Sequence, residues 1–309
     1  MDTVLITGGT GMVGKALTTL LNDKGYRVII LTRKLPLKTP SEMTRYALWN
    51  VAKQEIDINA VQQADHIIHL AGAGVMDKRW SSSYKKEIQD SRIKSSELLV
   101  KTLKENNNKV KTVVSASAIG WYGKDRNDII GKGGFTETDP PDTGFLGETC
   151  RLWEQSIQPV QDPGKRLVIL RTGIVLGNEG GAFPQFKQPI QFGIAAILGN
   201  GRQIISWIHI EDLCRLYINA LDNGKMNGIY NAVAPFPVDN KTLVLSVAKK
   251  LRGKIFIPIH VPAFILKLVL GESSIEVLKS TYVSSGKIKQ TGFTFLYPSV
   301  DAALNELCS

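Results

Sequence analysis

Three glycines near the start of the chain leave few folds open to it. Gly8, Gly11 and Gly14 are each separated by two residues. They lie between an apolar run, Val4-Leu5-Ile6-Thr7, and a stretch over residues 12–24 in which Val13, Ala16, Leu17, Leu20 and Leu21 share one helical face. Gly8 permits a tight strand-to-helix turn, Gly11 lets an anion approach the backbone, and Gly14 lets the helix close onto the strand. The helix start, with the backbone of Thr10, Met12 and Val13, then offers free N–H groups and partial positive charge to a phosphate.

The rest of the chain supplies the sheet such a turn needs. Apolar runs at 27–32, 46–49, 66–70, 110–115 and 166–171 alternate with helical patterns at 56–63, 84–106 and 145–160. In the longest of these, Ile88, Ser91, Ser95, Leu98, Leu99 and Leu103 recur at helical spacing. Strands apolar on both faces, alternating with amphipathic helices, predict a parallel sheet covered on both sides. The expected class is α/β, a Rossmann-type doubly wound parallel sheet. After Gly177 the pattern loosens. Residues 178–206 are rich in Gly and Pro, 211–222 return to helix and 229–232 to strand. A helix near 242–251 and a strand at 255–258 follow. The division expected is a nucleotide domain of residues 1–177 with about 207–234, and a smaller discontinuous α+β lobe of about 178–206 with 235–309.

Composition narrows the class further. With 309 residues, 43% hydrophobic and 21% charged, the chain can bury a core without staples, and disorder, collagen and coiled coil are excluded as descriptions of the whole. Cys150, Cys214 and Cys308 are scattered, so no metal site or disulfide framework is readable. That usage and a start that leads straight into a strand predict a cytoplasmic address. The apolar stretch 261–270 contains Lys267 and is half a membrane span, so no membrane association is expected. Lys and Arg exceed Asp and Glu by 38 − 28 = 10. An anionic small molecule suits that balance. Nucleic acid does not, because the basic residues are spread without a basic-aromatic stripe.

The end of the second strand distinguishes the cofactors such a turn binds. An acidic residue there holds a ribose 2′-hydroxyl. This chain has Thr32-Arg33-Lys34 instead, and a guanidinium suits a 2′-phosphate, so NADP is favoured over NAD.

These motifs resemble the short-chain dehydrogenase/reductase superfamily in its extended, sugar-nucleotide epimerase-like form, over nearly the whole chain. His69-Leu70-Ala71-Gly72 resembles the fourth-strand segment that lines the cofactor. Ser115-Ala116-Ser117 followed by Tyr122-Gly123 resembles the fifth-strand serine region. Arg171-Thr172-Gly173 and Trp207-Ile208-His209-Ile210-Glu211-Asp212 resemble later segments. Arg79-Trp80, Asp90-Ser91-Arg92, Gly199-Asn200-Gly201-Arg202-Gln203 and Gly292-Phe293 narrow this to the atypical "epimerase family" subgroup, described as nucleoside-diphosphate-sugar epimerases with a C-terminal domain of unknown function. The resemblance implies that Leu70, Ala71, Gly72 and Ser115 line the cofactor. It also implies an oxidoreductase or epimerase acting on a small polar, nucleotide-linked or otherwise anionic substrate. A homodimer across the helices 84–106 and 145–160 is common in that superfamily.

The superfamily's chemistry uses a Tyr with Lys four residues on, and a strand-five Ser that holds the substrate oxygen. None of the eight tyrosines has Lys at that spacing. Aligned on the helix at 145–160, the Tyr slot falls on Leu146 and the Lys slot on Cys150. The replacements proposed by sequence are Tyr122, with Ser117 beside it, and then Glu148, Cys150 and His209. Arg171 and Arg202 are candidates for an anionic substrate group, and Trp207 for a stacking surface. A lost Tyr-Lys pair with a retained glycine turn also fits a non-catalytic NADP-binding sensor or partner-binding protein.

Overall fold

The computed structural model describes residues 1–36 and 41–309. Its strands are β1 (Thr3–Thr7), β2 (Arg27–Thr32), β3 (Thr44–Asn50), β4 (Glu55–Ile56), β5 (His66–His69), β6 (Thr112–Ala118), β7 (Arg166–Thr172), β8 (Ile174–Leu176), β9 (Ile194–Leu198), β10 (Ile204–Ile205), β11 (Trp207–His209), β12 (Gly228–Ala232), β13 (Val238–Asp239) and β14 (Ile257–Val261). The helices are α1 (Met12–Asp23), α2 (Ile58–Gln63), α3 (Ser82–Glu105), α4 (Asn127–Gly131), α5 (Phe145–Ile157), α6 (Phe183–Gln191), α7 (Ile210–Asp222), α8 (Asn240–Arg252), α9 (Ala263–Leu270), α10 (Ser274–Leu278), α11 (Gly286–Gln290) and α12 (Val300–Leu307).

Eight strands form one sheet in the order β12-β7-β6-β5-β1-β2-β3-β4. All neighbours are parallel except the short β4, which turns back on β3. This is the doubly wound sheet the alternation predicted. Its strands are buried on both faces because helices cover both. Leu17 and Leu21 of α1 pack with Leu213, Leu216 and Tyr217 of α7 over one face. Ala60 and Val61 of α2 pack with Leu98, Leu99 and Leu103 of α3 over the other. Ser81 accepts a hydrogen bond from the Tyr84 N–H and caps α3, so that helix begins two residues before the apolar pattern. The order reverses between β1 and β5, and the crevice at their carboxyl ends is where such sheets bind ligands.

A second core gathers Phe183 and Ile190 of α6, Ala195 and Ile197 of β9, Leu243, Val244 and Val247 of α8, and Val300, Leu304 and Leu307 of α12. Here β14 pairs with β9 and β10 with β13. Residues 178–206, expected to be loosely patterned, hold α6 and two strands. The C-terminal stretch is shared between the cores, since Ile288, Phe293 and Phe295 pack on the main sheet's core. Among the described residues, no helix is long and apolar enough to cross a membrane.

Candidate cofactor and substrate site

The glycine turn builds the first half of the site. Gly8 has φ +71°, and a Cβ there would stand 2.9 Å from the Leu70 carbonyl carbon. A Cβ at Gly14 would lie 2.4 Å from the Gly8 carbonyl oxygen, whereas one at Gly11 would meet only that oxygen, at 3.4 Å. Gly11 is the N-cap of α1 and offers no side chain, and the first turn holds no acidic residue. The N-terminal amides therefore face a groove of about 270 Å³ lined by Gly8, Gly11, Met12, Val13, Leu70 and Thr172, among others. Open amides over a glycine floor fit a pyrophosphate. Thr10 is exposed in the turn, and Arg33 and Lys34 are exposed just beyond β2, at the same edge of the sheet. Thr32 spends its hydroxyl on the Lys34 carbonyl, at 3.0 Å.

One hydroxyl sets the far wall of the groove. Thr7 Oγ1 accepts from the N–H groups of Leu70 and Ala71, at 3.1 Å each, and so donates its own proton to His69 Nδ1, at 2.7 Å. His69 is then the Nε2–H tautomer, donating to Ser96 Oγ at 3.1 Å, while Ser96 donates to the Arg92 carbonyl. Burial pushes the His69 pKa down to about 3, keeping the ring neutral as this chain of bonds requires. Gly72 follows, and a Cβ there would stand 3.0 Å from the Arg92 guanidinium carbon.

The second half is a cavity of about 340 Å³ that shares Thr172 with the groove as a wall residue. Leu146 and Cys150, at the Tyr and Lys slots, both line it. Neither carries out acid chemistry there. Burial raises the Cys150 thiol to about 12, and its Sγ–H points to the Ala118 carbonyl.

The structure places the other residues named for catalysis or substrate as follows, and most are engaged within the protein. Tyr122 is fully buried and stacked on Phe135. Its hydroxyl donates to Asn231 Oδ1 at 2.6 Å and accepts from Arg171 at 3.0 Å, and burial raises its pKa. Ser117 borders the groove, but its hydroxyl donates to Glu154 Oε1 at 2.6 Å. Arg171 is equally interior. Its Nε and Nη2 form a two-pronged pair with Glu154 at 2.8 and 2.9 Å, and its guanidinium lies 3.6 Å over Trp121. This buried pair joins α5 to β7 and is unavailable to a substrate. Breaking such a pair costs about 3–5 kcal/mol. Ser115 is buried within β6, and its neighbour Ala116 lines the groove instead. Trp207 is a core residue whose indole N–H is held by the Phe236 carbonyl. His209 caps α7 through Nδ1 and meets Glu306 through Nε2 at 2.9 Å. Arg202 is exposed and borders neither space. Glu148 is tied to Arg151 on its own helix.

Sequence reasoning missed Arg92 as a wall of the cavity. The signal was present: Arg92 stands four residues after Ile88 and three before Ser95, on the buried stripe of α3, where an arginine is out of place.

Comparison with known proteins agrees with this geometry. The sequence model of the NAD dependent epimerase/dehydratase family matches residues 4–232, and a domain of unknown function, DUF1731, matches residues 261–307. The chain is 31% identical over 303 residues to an epimerase family protein of Mycobacterium leprae, covering 98% of this chain and 94% of that one. It is 35% identical to one of Staphylococcus aureus, covering both completely. Among solved structures, the human epimerase family protein SDR39U1 (isoform 2) with NADPH superposes with a TM-score of 0.86 at 28% identity, over 99% of both chains.

Proposed function

The chain belongs to the NAD dependent epimerase/dehydratase family, and from that premise we propose that it is an NADP-dependent oxidoreductase or epimerase of a small molecule, working without the Tyr-Lys pair. The observation that supports this reading is the adjacency of two spaces: the glycine groove, with its open amides, shares Thr172 as a wall residue with a cavity large enough for a small substrate. Gly11 and the first amides of α1 hold the pyrophosphate, Leu70 and Ala71 form the opposite wall, and Arg33 holds the 2′-phosphate. When bound, the nicotinamide supplies hydride exchange with a carbinol or carbonyl carbon. Leu146 and Trp153 give that region of the cavity apolar walls. The human relative solved with NADPH supports NADP over NAD.

Titration calorimetry tests this. NADPH binds more tightly than NADH, and Arg33→Asp removes the difference, a loss of about 1.5–3 kcal/mol for one charge-assisted contact. Equal affinities in the unaltered protein overturn the cofactor assignment. One observation favours a binding or sensing role instead, namely that Leu146 and Cys150 replace the acid and its lysine. Absence of turnover with any sugar nucleotide or small carbonyl, alongside tight NADPH binding, selects that role.

A further inference from the structure

The cavity is chemically lopsided. Val75, Met76, Ile119, Leu146, Ile174 and Phe186 are typical of its walls, and the polar side chains among them are already engaged. Thr149 donates to the Phe145 carbonyl, Gln203 Nε2 to the Leu198 and Val277 carbonyls, and Ser206 to the Thr281 carbonyl, while Asn240 Oδ1 accepts from the Leu198 N–H, which leaves only the other ends of the Gln203 and Asn240 amides. Of the charged groups, Glu276 and Lys279 neutralise each other at 2.9 Å. Arg92 alone is left over. Its Nη1 donates to the Ala73 and Ile88 carbonyls, at 3.0 and 2.9 Å, but among the described residues no carboxylate lies within ion-pair distance, and Nε and Nη2 make no hydrogen bond. Its guanidinium lies over the Trp153 ring, 5.0 Å from the centroid. Trp153 is itself 5% exposed, and its indole N–H has no acceptor among the described residues.

We propose that the cavity binds a compact, mostly apolar small molecule bearing one carboxylate, held by Arg92 and the indole N–H of Trp153, and that it does not take a sugar nucleotide. An uncompensated cation in an apolar enclosure calls for an anion, and unspent planar N–H donors suit a carboxylate. A single positive charge balances a monoanion and leaves a phosphate monoester or a diphosphate undercompensated. A sugar requires several hydrogen-bonding groups on the walls, and most of the polar side chains here are spent on the protein. At about 340 Å³ the cavity lies near the small end of ligand sites, which run from roughly 300 to 1,000 Å³. The inference rests on reading this cavity as the substrate site, and NADPH affinity is measured separately so that the two can fail independently.

The probes are octanoate, octanamide and UDP-glucose, titrated by calorimetry into the full chain saturated with NADPH. Octanoate binds about ten- to a hundredfold more tightly than octanamide, the range of one charge-assisted contact, and UDP-glucose binds more weakly than octanoate. Arg92→Gln abolishes the preference for acid over amide while NADPH affinity stays unchanged. Arg92→Lys, which keeps the charge, retains part of that preference, and Trp153→Phe weakens octanoate several-fold. Thermal melts confirm that each variant is folded. The proposal is overturned by equal binding of acid and amide, by tighter binding of UDP-glucose, by no octanoate binding at millimolar concentration, or by loss of NADPH affinity in Arg92→Gln, which would assign Arg92 to the cofactor.

Discussion

Thr7 and His69 tie the cofactor wall to α3 through side chains with one workable protonation state. Thr7 must donate into Nδ1 because its own oxygen already serves two backbone N–H groups. A proton on Nδ1 would therefore face another donor, at a fully buried position. The folded pKa near 3 lies below the ordinary 6.5, so the unfolded chain takes up a proton that the folded chain refuses. His69 thus contributes stability that is complete above about pH 6.5 and is lost as the pH falls toward 3. Each unit is worth about 1.4 kcal/mol, so between about pH 7 and pH 5 the loss approaches 2 kcal/mol. Urea unfolding of the native protein and of His69→Gln checks this: the native protein loses about that much more over the interval, and parallel pH profiles would sink the assignment. The same scale explains why the acid candidates misled. Tyr122 and Arg171 have the right chemistry and stand near the right strand ends, but whether a side chain faces a cavity or a Glu154 carboxylate is decided by α5 packing across β6 and β7. Arg92 is the reverse case, a residue legible only as an oddity on an apolar stripe.

Helix α1 separates two glycine requirements that look alike in sequence. Gly14 is needed for packing, since a methyl there would press 2.4 Å from the Gly8 carbonyl oxygen and 2.5 Å from Gly9 Cα. Gly11 is needed for the ligand, because its backbone is extended and a Cβ is sterically tolerable. Gly11→Val is therefore expected to keep the melting temperature within a few degrees and to lose NADPH binding at least tenfold. Gly14→Ala forces α1 off the sheet and destabilises by about 1–3 kcal/mol, the usual cost of overpacking. Melting curves with and without NADPH separate the two, and a Gly11→Val protein that binds NADPH normally would place the phosphate site elsewhere. Elements of the main sheet were legible because double-sided burial makes their strands nearly continuous apolar runs and their helices periodic. In the lobe the helix near 242–251 and the strand near 255–258 were legible, but α6, β10 and β13 were not, because α6 carries Pro184 and Pro189 and the two strands are two residues each, too short for any period. Counting along α5 set Leu146 and Cys150 one turn apart, and both line the cavity, since a helix fixes which residues share a face.

Across the whole molecule, the stretch matched as a separate C-terminal domain does not have a core of its own. Val300, Leu304 and Leu307 of α12 complete the core of α6 and α8, while Ile288 enters the core of the main sheet. The fully buried Asp212 carboxylate on α7 accepts from the N–H groups of Leu296 and Tyr297, at 2.8 Å each, and Glu306 meets His209. Val277, Lys279 and Thr281 line one side of the cavity. Burying four large apolar side chains contributes about 1.5–3 kcal/mol each. Their sum rivals the net stability of about 5–15 kcal/mol typical of a whole protein. A chain ended at His260 would also leave the Asp212 carboxylate with Arg215 as its remaining partner. The expected outcome is that residues 1–260 give no cooperative thermal transition and bind no NADPH, although every residue of the glycine groove is present. A truncated chain that melts cooperatively near the full-length temperature with unchanged NADPH affinity would refute this. It would mean that the cofactor half folds alone and that the C-terminal stretch serves the substrate cavity only. The interleaved contacts argue against that division: one stretch lines the cavity at Val277, Lys279 and Thr281, holds α7 through Leu296 and Tyr297 and packs α12 on α8, so groove and cavity are expected to form in one cooperative step.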